Sequence, residues 1–182
     1  MTAPAHTGTG DPRPPGRHAF DSRGERAYAR LPTMQPAITA GTGFLLAVLW
    51  FDLMFDVQVL RQRAGVLPEQ VLASIAGYYR RVTTDARPMN RLVVAAMLAT
   101  LVAVVAQITR DDAARWVSVA SLVATIAAIG LAASHTFPCA ARLGVRRDSI
   151  ADQSRLARSI CRDHFVCVVL IATVLVIQLV SG

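Results

Sequence analysis

The stretch LWFDLMFDVQVL, residues 49–60, decides how this chain is read. It is an almost unbroken apolar run, yet Asp52 and Asp56 lie in it one helical turn apart, on one face of any helix it forms. A carboxylate near mid-bilayer costs about 2.5–3.5 kcal/mol even on a lenient insertion scale, so such groups face a protein interior and find a partner there. The surroundings of the stretch say which interior that is.

Hydrophobic residues make up 53% of the 182 residues, and the mean hydropathy is +0.42. That is too apolar for an ordinary soluble domain. Four apolar runs, approximately 37–60, 89–109, 116–137 and 164–180, alternate with arginine-rich gaps. Each is near the roughly 20 residues a helix needs to cross a hydrocarbon core of about 30 Å. The expected fold class is therefore all-α, a four-transmembrane-helix bundle. Amphipathic interfacial helices are expected in the long segments between spans one and two and between spans three and four. In the first, LPEQVLASIAGYYRRV, Val71, Leu72, Ile75, Tyr78, Tyr79 and Val82 recur at helical spacing, which predicts tyrosines at headgroup depth. In the second, a cap-like Ser149-to-Asp152 start opens a helix that runs toward span four.

Two domains follow: a disordered Pro/Gly/Arg-rich tail over residues 1–33 and an integral membrane domain over 34–182. The tail carries Pro4, Pro12, Pro14, Pro15 and Pro32 with no periodicity, and it lacks the parts of a signal peptide. Translation starting at Met34 would remove it.

All 19 basic residues are arginine. They flank the spans, so a pI near 10.6 reflects topology and anionic lipid headgroups rather than nucleic acid, which is excluded as a partner. The positive-inside rule places both long segments in the cytoplasm and both termini outside, although the arginines of the tail argue the other way. The partners implied are the bilayer with its anionic headgroups and, as an open alternative, further copies of the chain. Cys139, Cys161 and Cys167 have no metal-knuckle spacing and read as small apolar packing residues. Alanines at every fourth position, Ala120 to Ala132 in span three and Ala95 to Ala103 in span two, predict close backbone packing between those two spans. Pro138 is expected to terminate span three.

With this topology a polar layer forms at the cytoplasmic ends of the spans. It gathers Asp52 and Asp56, Asn90 and Arg91, Ser134 and His135, and Asp163 and His164. From helical rise, Asp56 lies near the interface and Asp52 deeper. Three readings of the layer are open. It can be a structural network of Asp52 and Asp56 with Arg91 and a histidine. It can be a nitrogen/oxygen metal or redox site of Asp52, Asp56, His135 and His164, which are also the candidate catalytic residues. It can be a proton or cation relay centred on Asp52. No motif specifies a cofactor, substrate or reaction. Gln107 and Gln178, at the opposite end, are placed to hydrogen-bond across helices.

The four-span layout, with SHTFPCAARLG closing span three and ARSICRDHF leading into span four, resembles the anthrone-oxygenase-like group of small bacterial and fungal membrane proteins. The chain departs from that group's pattern at Asp163 and in the FDLMFD aspartates. The resemblance implies an oxidoreductase or oxygenase acting on an apolar aromatic or quinone-like substrate, with His135 and His164 as acid/base groups or metal ligands. The leading expectation is a small inner-membrane protein of bacterial type, multi-pass in the plasma membrane. Its polar layer stabilises the bundle or binds a small partner.

Overall fold

The computed structural model describes residues 33–62 and 65–181. The tail expected over 1–33 therefore lies outside the described residues, apart from Thr33. Helix α1 (Gln35–Asp56) starts with a proline in its first turn and ends in a 3-10 turn, Val57–Arg61. Helix α2 (Glu69–Arg80) widens into a π turn over Arg81–Asp85. Helix α3 (Arg87–Arg110) is followed by α4 (Arg115–Leu131), which passes through a second π turn, Ala132–Thr136, into α5 (Phe137–Val145). Helix α6 (Ile150–Ser181) is the longest. Four continuous helical stretches, Gln35–Arg61, Pro88–Arg110, Arg115–Val145 and Ile150–Ser181, are long and apolar enough to cross a membrane. The fold is an all-α four-helix membrane bundle, with no strand among the described residues.

The four long helices form a ring in which α1 packs on α3 and α6, and α4 packs on α3 and α6. Two of them are too long for the slab. The 32 residues of α6 and the 31 of the α4–α5 stretch run for about 46–48 Å against roughly 30 Å of hydrocarbon. Both overshoot on the same side, and α2 folds against the overshoot. Val59, Leu67, Leu72, Ile75, Tyr79, Leu143 and Ile160 make a separate apolar core there. The amphipathic helix of the first long segment thus buries Leu72, Ile75, Ala76 and Tyr79 against protein, so the tyrosine pair does not simply face headgroups. The second long segment is α5 and the first turns of α6, joined at Arg146 in a left-handed conformation (φ 54°). Arg146 bonds Glu69 of α2 at 2.7 and 2.8 Å and Gln153 of α6 at 3.1 Å. The Ser149 hydroxyl caps α6, accepting from the Asp152 N–H at 3.2 Å.

Two packing expectations need correction. Pro138 does not end span three: the helix continues to Val145. The Phe137 N–H bonds back five residues to the Ala132 carbonyl, and this widened turn accommodates a proline that has no N–H to give. The alanine stripe of span two holds only at Ala103, which is buried in one cluster with Ala124 of α4, because Ala95 and Ala99 are exposed. Helix α3 otherwise buries Val93, Met97, Thr100, Val104 and Gln107, a set spaced at three, four and seven residues. Ala124 and Ala128 of α4 do face the interior, Ala128 packing near Cys167 and Met97.

At the end away from α2, Gln107 and Gln178 exchange two reciprocal amide hydrogen bonds of 3.0 Å. Gln178 also donates to the Ser121 hydroxyl at 3.0 Å. Both glutamines are buried, so this pair ties α3 to α6 across the ring with its polar groups satisfied.

The junction between α5 and α2 is a close backbone approach. A Cβ on Gly144 would stand 3.0 Å from the backbone nitrogen and 3.1 Å from the Cα of Arg80. Backbone cannot rotate away as a side chain can, so Gly144→Ala is expected to destabilise the protein by about 1–3 kcal/mol. Gly43→Ala, with nothing within 4 Å of the new Cβ, should leave stability unchanged. Thermal unfolding of the two variants in detergent checks both; equal melting temperatures would refute the close approach.

Candidate functional site

The site forms where α1 ends, α2 folds under it and α6 passes. Helical spacing puts Asp52 and Asp56 on one face of α1, and that face looks at α2 and α6. The Asp56 carboxylate is fully buried. Its Oδ1 accepts from the Tyr79 hydroxyl at 2.6 Å, and its Oδ2 lies 2.6 Å from His164 Nδ1. A carboxylate only accepts, so Nδ1 carries the proton in this pair. Tyr79 Oη is also 3.5 Å from His164 Nδ1. Asp52 Oδ1 accepts from the Tyr78 hydroxyl at 2.7 Å. Its Oδ2 is 3.7 Å from His164 Nε2, an ion-pair distance beyond a hydrogen bond. Two carboxylates, two phenols and one imidazole from α1, α2 and α6 thus make one network. The Tyr78 ring stacks on Phe55 at 4.1 Å and meets Tyr79 edge-on at 5.3 Å.

The depth order inferred from helical rise is reversed in burial. Asp56 is the sealed carboxylate and Asp52 the accessible one, its side chain 13% exposed. The cause is α2, which covers the end of α1 that the sequence alone leaves open to headgroups. His164 lies about 26 Å along α6 from Ser181, which puts the network at the floor of the hydrocarbon, where the bundle meets the α2–α5 annex.

The remaining polar-layer residues divide. Asp163 is buried and turned to the other side of α6, toward the π turn. It takes His135 Nδ1 at 2.5 Å and the Thr136 hydroxyl at 3.4 Å, with Arg162 at 3.6 Å. His135 is half exposed and is not a partner of Asp52 or Asp56; its Nε2 lies 3.7 Å from Cys139 Sγ. The quartet Asp52, Asp56, His135 and His164 therefore does not converge. Among the described residues, no group of three or more His, Cys, Asp or Glu side chains is placed to hold a metal ion. Arg91 is exposed and forms no ion pair with either aspartate among the described residues, so the expected Arg91 partnership does not form. Ser134 bonds back to the Gly130 carbonyl at 2.6 Å, within its own helix. Asn90 lines a cavity of about 610 Å³ beside the network, together with Asp52, Tyr78, Tyr79, Thr83 and His164. A narrow apolar pocket of about 60 Å³, bordered by Leu45, Met97 and Ile171, adjoins it and shares Asp52 and His164.

The residues that the sequence reading missed as site members are Tyr78 and Tyr79. A signal for Tyr79 was present: it is seven residues after Leu72 and four after Ile75, on the apolar face of α2.

Burial, followed by the negative charges of Asp56 and Asp52, raises the Tyr79 phenol far above its ordinary range; burial and Asp52 raise Tyr78. Two outcomes follow. Tyr79→Phe leaves a sealed carboxylate short of one donor and should cost about 1.5–3 kcal/mol. Tyr78→Phe should cost less, because Asp52 retains some access to the cavity. Denaturant unfolding in detergent compares them, and a larger loss in the Tyr78 variant would refute the burial order. The pH dependence has a definite sign. The folded state keeps a phenolic proton that the unfolded chain releases near pH 10. That stability is therefore complete below about pH 10 and declines as the pH rises toward the folded value. The chain has no lysine, but its cysteines and other tyrosines titrate in the same range, so the comparison with Tyr79→Phe isolates this phenol. The melting temperature should fall on passing about pH 10, and the fall should be shallower in Tyr79→Phe.

The profile of the SHR3 chaperone family, described as ER membrane protein SH3, matches residues 31–181. No curated protein matches the chain, and no solved structure does. The family match overturns the resemblance to the anthrone-oxygenase-like group, which rested on layout and two short stretches. It likewise corrects the bacterial assignment and the inner-membrane location, since the matching family is one of ER membrane proteins. The oxidoreductase and ion-translocation readings of the polar layer lose their support with it. Arginine placement and span count cannot distinguish one helical membrane protein family from another, because both follow from the bilayer. The match covers all four spanning helices and the annex, and on that ground the chain belongs to the SHR3 chaperone family of ER membrane proteins.

Proposed function

We propose that this protein is a chaperone of the endoplasmic-reticulum membrane, that its clients are other membrane proteins met within the bilayer, and that its polar layer serves to hold the bundle in one arrangement. The observation that carries this reading is the extent of the family match, residues 31–181. It spans the bundle and the annex rather than one short motif, so the family's role rests on the whole fold. The chemistry is consistent with holding rather than turnover. An unassembled membrane segment has its exposed polar and small-residue faces in lipid, where an unsatisfied polar group costs several kcal/mol. A neighbouring helix can cover such a face by van der Waals packing. The outer surface of this bundle offers apolar side chains such as Phe51, Leu98, Val102, Val169 and Val176. In this reading the arginine-rich annex, with Arg80, Arg142, Arg155 and Arg162 exposed, faces the cytoplasm by the positive-inside rule.

A photo-reactive residue at Val102 or Val169, both on the outer face, is expected to crosslink newly made multi-pass membrane proteins in ER membranes. Depletion of the chain should leave those same proteins retained in the ER or degraded. Unaltered abundance and location of multi-pass proteins after depletion, with no adduct at either position, would reject the proposal.

A further inference from the structure

The geometry points to the cavity beside Asp52 as a binding site for a single-chain amphiphile with a primary ammonium head, the ammonium on Asp52 and the alkyl chain along the cavity's apolar lining. A volume of about 610 Å³ is that of small-molecule sites generally. Three observations choose the ligand.

The first is charge. Asp52 and Asp56 face one imidazole, His164, so with both carboxylates ionised and that ring protonated the network keeps one uncompensated negative charge. Among the described residues, no arginine lines the cavity. A buried net charge is costly and draws a counter-charge. The lack of a basic wall also disfavours a head bearing phosphate.

The second is hydrogen-bond polarity. The lining hydroxyls have already spent their protons on protein acceptors. Tyr78 donates to Asp52 at 2.7 Å, Tyr79 to Asp56 at 2.6 Å and Thr83 to the Tyr79 carbonyl at 2.7 Å. Thr136 donates toward Asp163 at 3.4 Å. What remains toward the cavity is lone pairs, the Asn90 amide, which both donates and accepts, and Asp52 Oδ2, which has no hydrogen-bond donor within 3.5 Å among the described residues. A wall in which acceptors outnumber donors suits a head with three donors and no acceptor, which is an ammonium.

The third is the shape of the apolar part. The cavity has its own apolar lining in Val48, Val82, Val93 and Phe137, whereas the pocket bordered by Leu45, Met97 and Ile171, at about 60 Å³, is too small for an alkyl chain. The cavity rim is formed by Phe51, Met89 and Val94, all exposed on the outer face. A chain can therefore enter from the acyl region without passing through water. The head then sits at the floor of the hydrocarbon and the tail lies among apolar side chains.

The test uses the full chain in phosphatidylcholine nanodiscs and a diazirine-bearing dodecylamine, with adducts mapped by peptide mass spectrometry. Saturable labelling is expected on the cavity lining and rim, competed by dodecylamine and not by dodecanol or dodecyl phosphate. Asp52→Asn should reduce that labelling roughly tenfold, a ratio equivalent to about 1.4 kcal/mol. Ala141→Trp narrows the cavity from an exposed wall position without touching the network, and it should have the same effect, so it decides the matter if Asp52→Asn fails to fold. Equal competition by dodecanol, or full labelling in Ala141→Trp, overturns the assignment. Competition by a lysine-bearing transmembrane peptide where dodecylamine has none overturns it in favour of a client helix. Either result leaves the chaperone reading to its own crosslinking test.

Discussion

A sealed carboxylate holds this structure to one arrangement. Asp56 sits in an apolar interior with no water to solvate it, between a histidine from α6 and a tyrosine from α2 at 2.6 Å each. A buried ion pair adds little stability relative to a well-packed apolar substitute, yet removing one partner costs about 3–5 kcal/mol, because the other is left charged and alone. The consequence here is specificity of placement. Helix α2 has an apolar face that could lie on many surfaces, including the membrane interface. Only one position lets it bring Tyr79 to Asp56 while Leu72 and Ile75 enter the annex core.

That constraint explains why the helices are as long as they are. A bundle trimmed to the hydrocarbon would have no surface on which α2 could dock. The overshoot of α6 and of the α4–α5 stretch supplies the surface, and Gly144 lets the α2 backbone come close enough to be locked. Both π turns border the junction. The one at Ala132–Thr136 carries a helix past Pro138 without breaking it. The one at Arg81–Asp85 lets the chain leave Tyr79 and enter α3 within a few residues.

Span number, span placement and helical class were legible because each follows from hydropathy and helical rise, which are local properties. The capped start of α6 was legible for the same reason, as was the meeting of Gln107 and Gln178, since two amides at one depth in an apolar bundle have few other partners. The site was half legible. An aspartate inside a span must find a donor, which singled out Asp52, Asp56 and His164. The donors supplied by α2 were not seen, since nothing local distinguishes an amphipathic helix packed on lipid from one packed on protein. The same gap misjudged Arg91, which has water within reach and no need of a partner, and His135, which Asp163 holds on the far side of α6. The alanine stripe of span two held at Ala103 and failed at Ala95 and Ala99, for a different reason. Small residues permit close packing but do not require it, and Thr100 beside Gly41 provides the close approach between α1 and α3 that Ala95 and Ala99 do not. The family itself was not legible from layout, because the bilayer imposes a similar layout on unrelated proteins.

The two ends of the bundle are held by different chemistry, and the difference bears on which end can change. The Gln107–Gln178 clamp is neutral and reciprocal: each amide gives and takes one bond, and Ser121 takes a further one. Nothing in it titrates, and nothing is left over to recruit a ligand. The Asp52–Asp56–His164 end is ionic and unbalanced. With both carboxylates ionised its charges do not cancel, one carboxylate oxygen lacks a hydrogen bond among the described residues, and a cavity opens beside that oxygen. A neutral clamp is insensitive to salt and pH, whereas an unbalanced ionic layer at the membrane floor responds to any cation that reaches it. The neutral end therefore holds the helices together whatever the conditions, while the ionic end keeps a carboxylate oxygen facing open space.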